Sequence, residues 1–410
     1  MTWEPLAGKR VLVAVGGGVA AYKVCEVVST LIKADLAVRV ILTDAAQQFV
    51  TPLTMATLSR HPAYTDADFW AATHERPLHI QLGEWADVVL IAPLTANTLG
   101  KVALGLADNL LTNTVLASVC PVLLAPAMNT AMWQQPTVQR RWQEIQGLER
   151  YHWIGPEAGL LACDTVGTGR MAEPRDMVSY VFSLLYGNGK RDLQGKQLLI
   201  SSGGTREYLD PVRFIGNPAT GKMGMALAVA AWHRGATVHL VQANGQSVPL
   251  GSAIETTSVT SAAQMRAALV DALPTADWVI MAAAVGDVSP VQYSATKLPK
   301  QDLPQALPLA SVPDIVQELG TLKRDRQRLI GFAAQTGDII TPALEKLKRK
   351  GLDGIVANPI DLPESGFGSD RNQAVFIDHS GQQTPISPCT KLMMAHQILD
   401  LILNLDLKHP

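Results

Sequence analysis

The strongest constraint on how this chain can fold is a repeated alternation of short apolar runs with segments of helical apolar spacing. KRVLVAV (9–15) is a β-branched run, GGG follows at 16–18, Val19–Ile32 has helical spacing, and Ala37–Leu42 reads as a second strand. This is a β-α-β unit. It continues through ADVVLIAP (86–93), one Ala- and Leu-rich helix from about Asn97 to Ala117, and PVLLAPA (121–127), which predicts a parallel sheet with helices on both faces. After helical Met177–Leu185, YGNGKRDLQGK (186–196) replaces periodicity with Gly, Asn and charge, as a domain boundary does. The pattern restarts at QLLISSGG (197–204), then a helix from about Lys222 to Arg234 and strands at 236–243, 277–284, 328–334 and 353–358. AVFIDHSGQQTPIS (374–387) reads as a hairpin about a Ser-Gly turn before a last helix at Lys391–Leu403. The expectation is an α/β chain of two doubly wound, Rossmann-like domains, 1–188 and 189–410, since 410 residues exceed one ordinary core.

Composition narrows the partners. Charged residues make up 17% and the formal net charge is −2, so nothing predicts disorder or a polybasic surface for nucleic acid or anionic lipid. Small molecules and other subunits are the expected partners. The most apolar stretches fall well short of the roughly 20 residues that cross a bilayer, and residues 1–10 show no signal-peptide pattern, so the expected protein is soluble and cytoplasmic. Cys25, Cys120, Cys163 and Cys389 form no Cys-x-x-Cys pair, which argues against a disulfide framework or a thiolate metal site.

Several strand ends in the first half carry candidate chemistry. In GGGVAAYK (16–23), Gly16, Gly17 and Gly18 let backbone N–H groups approach a phosphate at a helix start, although the motif matches neither G-x-G-x-x-G nor a P-loop. LTDAA (42–46) and PLTANT (93–98) add Thr43, Thr95, Ala96, Asn97 and Thr98 at further strand ends, where one anionic ligand can be held. Asn129 in PAMN (126–129) can orient a substrate carboxylate or serve as a helix N-cap. His79, in HIQLGEWAD, is a lone histidine of a kind more often structural than catalytic. Cys163 lies in the Gly-rich GLLACDTVGTGRM (159–171), where a thiol can act as proton donor or be a small buried hydrophobe.

In this order, GGGVAAYK, HIQLGEWAD, PLTANT, LADNLLT (106–112), PAMN and the ACD…GTGRM segment resemble the flavin-containing cysteine decarboxylase family. The resemblance implies a flavodoxin-like domain, a trimer-based assembly with FMN between subunits, and chemistry on His79, Asn129 and Cys163. The implied sequence is oxidation of the substrate CH₂–SH to a thioaldehyde, loss of CO₂ to an enethiolate, protonation by Cys163, and return of hydride from the flavin, with no net redox change. His79 is then the base or orienter and Asn129 the group that fixes the carboxylate. The chain departs from the commoner G-S-G-x-I-A-A-Y-K opening, because Gly16 and Gly17 replace a Gly-Ser pair and its hydroxyl.

The second half places a long loop, SSGGTREYLDPVRFIGNPATGKMG (201–224), between a strand and a helix, with Arg206, Arg213 and Lys222 able to surround a triphosphate or a phosphorylated substrate. Asp287 in MAAAVGDV, Lys297 and Lys300 in KLPK, the helix-opening VPDIV (312–316), and Lys346 and Lys350 in LEKLKRKGLD suit a nucleotide–magnesium site. A basic helix end can also merely complement the helix dipole. Together these segments resemble the phosphopantothenate–cysteine ligase domain, and the order of the halves is similar to the bifunctional bacterial family that fuses it to the decarboxylase.

That resemblance implies CTP activation of the 4′-phosphopantothenate carboxylate as an acyl-cytidylate, attack by the cysteine amine, and CMP release, with Mg²⁺ on the triphosphate. Asp287, Lys297, Pro313, Asp314, Ile315, Val316, Phe332, Lys346 and Lys350 take the positions of CTP contacts, Lys297 stabilises charge during acyl transfer, and Asn217 serves the cysteine attack. Metal ligands stay unassigned. The implied assembly is a dodecamer of decarboxylase trimers joined by ligase dimers. Departures are Asn-Pro-Ala-Thr-Gly (217–221) for Asn-His-Ser-Ser-Gly, Gln335 for Glu, and Pro299 in a usually lysine-rich segment. A decarboxylase of peptidyl cysteine would leave the second domain unexplained, and a non-catalytic flavin-binding regulatory subunit has no need of His79, Asn129 and Cys163 together.

Overall fold

Strand β1 (Arg10–Val15) is buried over nearly its whole length, as expected of a parallel strand covered on both faces. A computed structural model describes residues 6–408 apart from 73, 163, 245–252, 363, 364 and 367. The chain divides into two compact units, Met1–Lys190 and Arg191–Pro410.

In the first unit β1, β2 (Ala37–Leu42), β3 (Ala63–Tyr64), β4 (Val88–Leu94), β5 (Val122–Pro126) and β6 (Tyr151–Trp153) form one parallel sheet in the order 3-2-1-4-5-6. This is the Rossmann order, and without the two-residue edge strand β3 the other five follow the flavodoxin order. The order reverses between β1 and β4, which opens a crevice at their carboxyl ends. Leu12, Ile91 and Leu124 pack one face of the sheet against Leu82, Leu99 and Ile145 from the helices. Each such fully buried leucine contributes roughly 1.5–3 kcal/mol of hydrophobic stabilisation.

Two local expectations are corrected. The single helix expected at 97–117 is two, Ala96–Leu104 and Leu110–Ala117: Gly105 ends the first at φ +69°, and the Asn109 side chain caps the second by accepting from Thr112 N at 2.9 Å. The irregular segment about 159–171 holds an antiparallel hairpin of β7 (Glu157–Leu160) and β8 (Val166–Arg170).

The second unit starts with β9 (Gln197–Gly203). The long loop that follows contains a further hairpin, β10 (Arg206–Tyr208) with β11 (Phe214–Gly216). Then come β12 (Thr237–Ala243), β13 (Glu255–Val259), β14 (Trp278–Met281), the small antiparallel pair β15 (Val288–Pro290) and β16 (Leu309–Ser311), β17 (Arg328–Gln335), β18 (Gly354–Pro359), β19 (Arg371–Asp378) and β20 (Gln383–Thr390). The main sheet has the order 13-12-9-14-17-18-19-20, parallel through β18 and antiparallel at β19 and β20, the expected hairpin. On one face Val279, Leu329 and Ile355 pack with Leu269, Leu319 and Leu347 from helices Ala262–Ala272, Ile315–Leu322 and Ile340–Arg349. The right-handed crossover rule puts helix Lys222–His233, which moves the chain the other way along the sheet, on the opposite face, where it packs with the last helix, Lys391–Lys408. Among the described residues no helix is long and apolar enough to cross a membrane.

Candidate functional site

The crevice of the first unit widens into a largely apolar cavity of ≈ 770 Å³ whose walls include Gly17, Gly18, Thr95, Ala96, Met128 and Asn129. Its floor is tightly built. A Cβ on Gly16 would meet Pro93 O at 2.3 Å and one on Gly17 would meet Ala45 Cβ at 2.3 Å, whereas one on Gly18 meets only Thr95 Cγ2, at 3.9 Å. The strand ends therefore close on one another while the backbone at Gly18 stays approachable, a cradle that fits a phosphate. Thr43 Oγ1 donates to Val15 O and accepts from Ala46 N, both at 3.2 Å, and Thr95 Oγ1 caps helix Ala96–Leu104 through Thr98 N at 3.3 Å.

Of the residues expected to hold the anionic ligand, Gly17, Gly18, Thr95 and Ala96 line the cavity. Gly16 and Thr43 do not; they shape it from beneath, and Thr98 is buried behind Thr95 while Asn97 is exposed. Asn129 lines the cavity, and its Oδ1 accepts from Ala131 N at 2.8 Å as the N-cap of Thr130–Trp133. His79 is not brought to this cavity. It sits on helix Leu78–Trp85 with its ring edge-on to Phe69 at 5.4 Å between centroids, and among the described residues its buried Nδ1 has no hydrogen-bond partner. Cys163 lies outside the described residues; its neighbours Leu161 and Ala162 line the cavity.

Charge also enters this cavity unforeseen. Lys23 Nζ reaches both oxygens of Glu173 at 3.2 Å, and Arg170 bonds to the same carboxylate. Burial disfavours the Glu173 charge, but these two cations hold its pKa below the usual carboxylate value, while burial, then Asp176 and Glu173, push Glu157 up. Sequence spacing gave no sign of the Lys23–Glu173 pair, because its members are far apart along the chain.

In the second unit a cavity of ≈ 490 Å³ lies at the carboxyl ends of the strands where the order reverses between β9 and β14. It gathers Asn217, Asp287, Pro313, Asp314, Ile315, Val316, Phe332, Lys346 and Lys350 from separate segments. Lys346 Nζ donates to Phe332 O at 2.7 Å; burial and then the neighbouring Lys350 ammonium push its pKa down to about 8. Lys350 lies 2.8 Å from Asp314, which also caps helix Ile315–Leu322 through Gln317 N at 3.1 Å. Burial opposes the Asp314 charge, yet the Lys350 bond leaves its pKa below the ordinary value. Asn217 Nδ2 donates to Val285 O at 3.2 Å.

Lys297 is exposed and is not brought to this cavity. Arg206 and Arg213 are not brought to this cavity either. Arg206 stacks on Phe214 at 4.7 Å and Arg213 pairs with Asp210 at 2.6 Å, so neither lines the cavity. Lys222 does, and so does Lys391, which nothing in the sequence singles out. Among the described residues no group of three or more His, Cys, Asp or Glu side chains is arranged to hold a metal. Asp287, a lining carboxylate that has no ion pair among the described residues, suits a Mg²⁺ ion carried mainly by phosphate oxygens.

The comparisons with known proteins agree over nearly the whole length of the chain. The family of the flavoprotein domain matches residues 2–186, and that of the DNA/pantothenate metabolism flavoprotein C-terminal domain matches residues 193–405. The chain is 42% identical over 402 residues to the coenzyme A biosynthesis bifunctional protein CoaBC of Bacillus subtilis (strain 168), covering 98% of each. To the protein of that name from Vibrio cholerae serotype O1 it is 38% identical over 402 residues, 97% of this chain and 99% of the other. A cysteine/cysteine sulfinic acid decarboxylase of an unknown prokaryotic organism is 42% identical over 359 residues, 87% of this chain and 99% of the other.

Proposed function

Because the chain belongs to the family of bifunctional coenzyme A biosynthesis proteins, a flavoprotein family that combines decarboxylase with ligase activity, we propose a division of labour between its two units. The second unit joins 4′-phosphopantothenate to cysteine at the expense of CTP with Mg²⁺, and the first decarboxylates the resulting 4′-phosphopantothenoylcysteine to 4′-phosphopantetheine with FMN, in the cytoplasm. The observation that carries this reading is the convergence of nine positions from five separate segments, Asn217 to Lys350, on one cavity at a strand-order reversal.

In the ligase step Lys346 and Lys350 neutralise nucleotide phosphates, Asp287 holds the metal with them, and Phe332 offers an apolar face to the base. Asn217 orients the activated carboxylate for the amine. Lys297, exposed on its loop, approaches only when substrate is bound. In the decarboxylase step Gly17, Gly18 and Thr95 hold the flavin phosphate, and Asn129, fixed by its bond to Ala131 N, grips the substrate carboxylate. Bound FMN supplies a transient oxidation of the thiol carbon, which gives the departing carboxylate's electrons somewhere to go. Cys163 delivers the proton to the decarboxylated product. His79, away from its own chain's cavity, acts at that of a neighbouring subunit, which accords with trimers that ligase dimers join into a dodecamer.

The deciding assay supplies 4′-phosphopantothenate, cysteine, Mg²⁺ and either CTP or ATP, and follows CMP or AMP and CO₂ separately. Absence of nucleoside monophosphate with both nucleotides removes the ligase reading. The relative named for cysteine decarboxylation supports a second reading, in which free cysteine is the decarboxylated substrate. CO₂ from cysteine alone, at the rate seen with 4′-phosphopantothenoylcysteine, would establish it.

A further inference from the structure

The parallel ladder between β9 and β14 stops at Ser201 and Met281, where the two strands part at the reversal of strand order. The segment that follows β14, residues 282–287, is one wall of the second-unit cavity. The N–H groups of Ala283 and Gly286 lie beyond the ladder, and a buried N–H left unpaired is costly. Two hydroxyls of the β9 segment take them up. Ser201 Oγ accepts from Ala283 N at 3.1 Å, and Thr205 Oγ1 accepts from Gly286 N at 2.8 Å. Both residues are fully buried, and neither lines the cavity. The main chain adds Ala284 N to Gly203 O at 2.8 Å and Thr205 N to Ala284 O at 3.2 Å.

Thr205 stands behind a series of linked contacts. The glycine it fixes precedes Asp287, whose carbonyl accepts from Val312 N at 3.0 Å. Val312 leads into Asp314, which lies 2.8 Å from Lys350, so the turn supports that side of the cavity too. On the other side of Gly286, Val285 O accepts from Asn217 Nδ2 at 3.2 Å. The β9 segment also abuts Asn217 directly, since a Cβ on Gly204 would meet Asn217 O at 2.7 Å. Gly286 gives the turn backbone freedom, so a bond from outside is what holds Val285, Asp287 and Asn217 in one arrangement.

On the ligase reading above, on which this rests, we propose that Thr205 is a positioning residue of the ligase step. From behind the wall its hydroxyl holds the turn 285–287 so that Asp287 meets the nucleotide and Asn217 meets the activated carboxylate. Ser201 supports the same wall at Ala283. Thr205 acts as an acceptor only, and no bond forms or breaks at it. Valine at 205 is close in size but has no acceptor, which leaves the Gly286 N–H buried and unpaired, whereas serine keeps the acceptor and loses a methyl group.

The test compares the full chain with its Thr205→Val, Thr205→Ser and Ser201→Ala variants. CMP release gives kcat and KM, and calorimetry with CTP and Mg²⁺ gives affinity without turnover. Thr205→Val should weaken CTP and raise its KM about five- to tenfold and lower kcat about tenfold, with KM for 4′-phosphopantothenate within about twofold. Thr205→Ser should return every value to within about twofold of the wild type. If Thr205→Val fails to fold, Ser201→Ala decides: it should weaken CTP at least about threefold, and wild-type affinity there would overturn the proposal. Wild-type kinetics in Thr205→Val overturn it as well. So does a loss that Thr205→Ser shares, which marks the methyl group, or a fall in kcat with affinity and KM unchanged, which marks a purely structural residue. A wild type that releases no CMP with CTP or ATP removes the ligase reading itself, whereas wild-type turnover that Thr205→Val matches removes only the positioning role.

Discussion

Asp210 Oδ2 accepts the Leu298 N–H at 3.2 Å, which ties the turn between β10 and β11 to the segment that carries Lys297. Arg213, paired with Asp210, donates in turn to Leu298 O at 3.1 Å, and Ser294 N donates to Leu209 O at 2.9 Å. Asp210 →Asn keeps the size of the side chain but removes the charge that three backbone N–H groups and Arg213 address. Turnover to CMP should fall about tenfold while KM for CTP stays within about twofold, as expected when a positioning contact rather than a binding contact is lost. An unchanged kcat would show that Lys297 does not depend on this tie.

Lys346 carries a pH signature. Its pKa of about 8 means that its charge is present below that pH and lost as pH rises through it. The kcat/KM for CTP should therefore decline above pH about 8 in the free enzyme, and Lys346→Arg, which stays charged, should carry the plateau toward higher pH. A profile flat to pH 9.5 in the wild type would exclude Lys346 as a nucleotide contact whose charge is needed.

The glycines at the end of β1 should separate packing from ligand approach. Gly16→Ala forces a Cβ against Pro93 O, a backbone atom, and should destabilise the first unit by about 1–3 kcal/mol in denaturant titration. Gly18→Ala meets nothing closer than 3.9 Å and should fold normally, but it narrows the cradle and should lower the flavin absorbance of the purified protein. Full flavin content in Gly18→Ala would move the phosphate elsewhere.

Cys163→Ser should keep its yellow flavin and still produce CMP, while 4′-phosphopantetheine formation from 4′-phosphopantothenoylcysteine falls at least about a hundredfold, the usual contribution of a general acid. A spectrally distinct, stalled flavin signal during incubation with substrate is the expected accompaniment. Wild-type rates in this variant would end the proton-donor role.

Much of the fold was legible because parallel strands buried on both faces are written as unbroken apolar runs: VVLIAPL and GIVANP are fully buried in β4 and β18. The two-residue β3 and the hairpins β7–β8 and β10–β11 escaped detection, since glycines and charges carry no period-2 signal. Gly105 and Asn109 were visible as letters, but the Ala- and Leu-rich residues around them masked the break they make. In the second unit most of the family positions carried over by residue line one cavity. Lys391 could not be foretold, because only the packing of helix Lys391–Lys408 on helix Lys222–His233 brings it near Lys222. His79 and Lys297 show the converse: the family resemblance singles out both, and among the described residues neither lines the two cavities described above.

The lateness of Lys391 in the chain sets a schedule. The first unit ends at Lys190, about 200 residues earlier, so every residue around its cavity has been polymerised while much of the second sheet has yet to be translated. At about 5–20 residues per second, the second cavity gains its last wall roughly 10–40 s after the first unit is complete. A ribosome stalled between those two moments would display the whole first unit, cavity included, with no ligase site behind it.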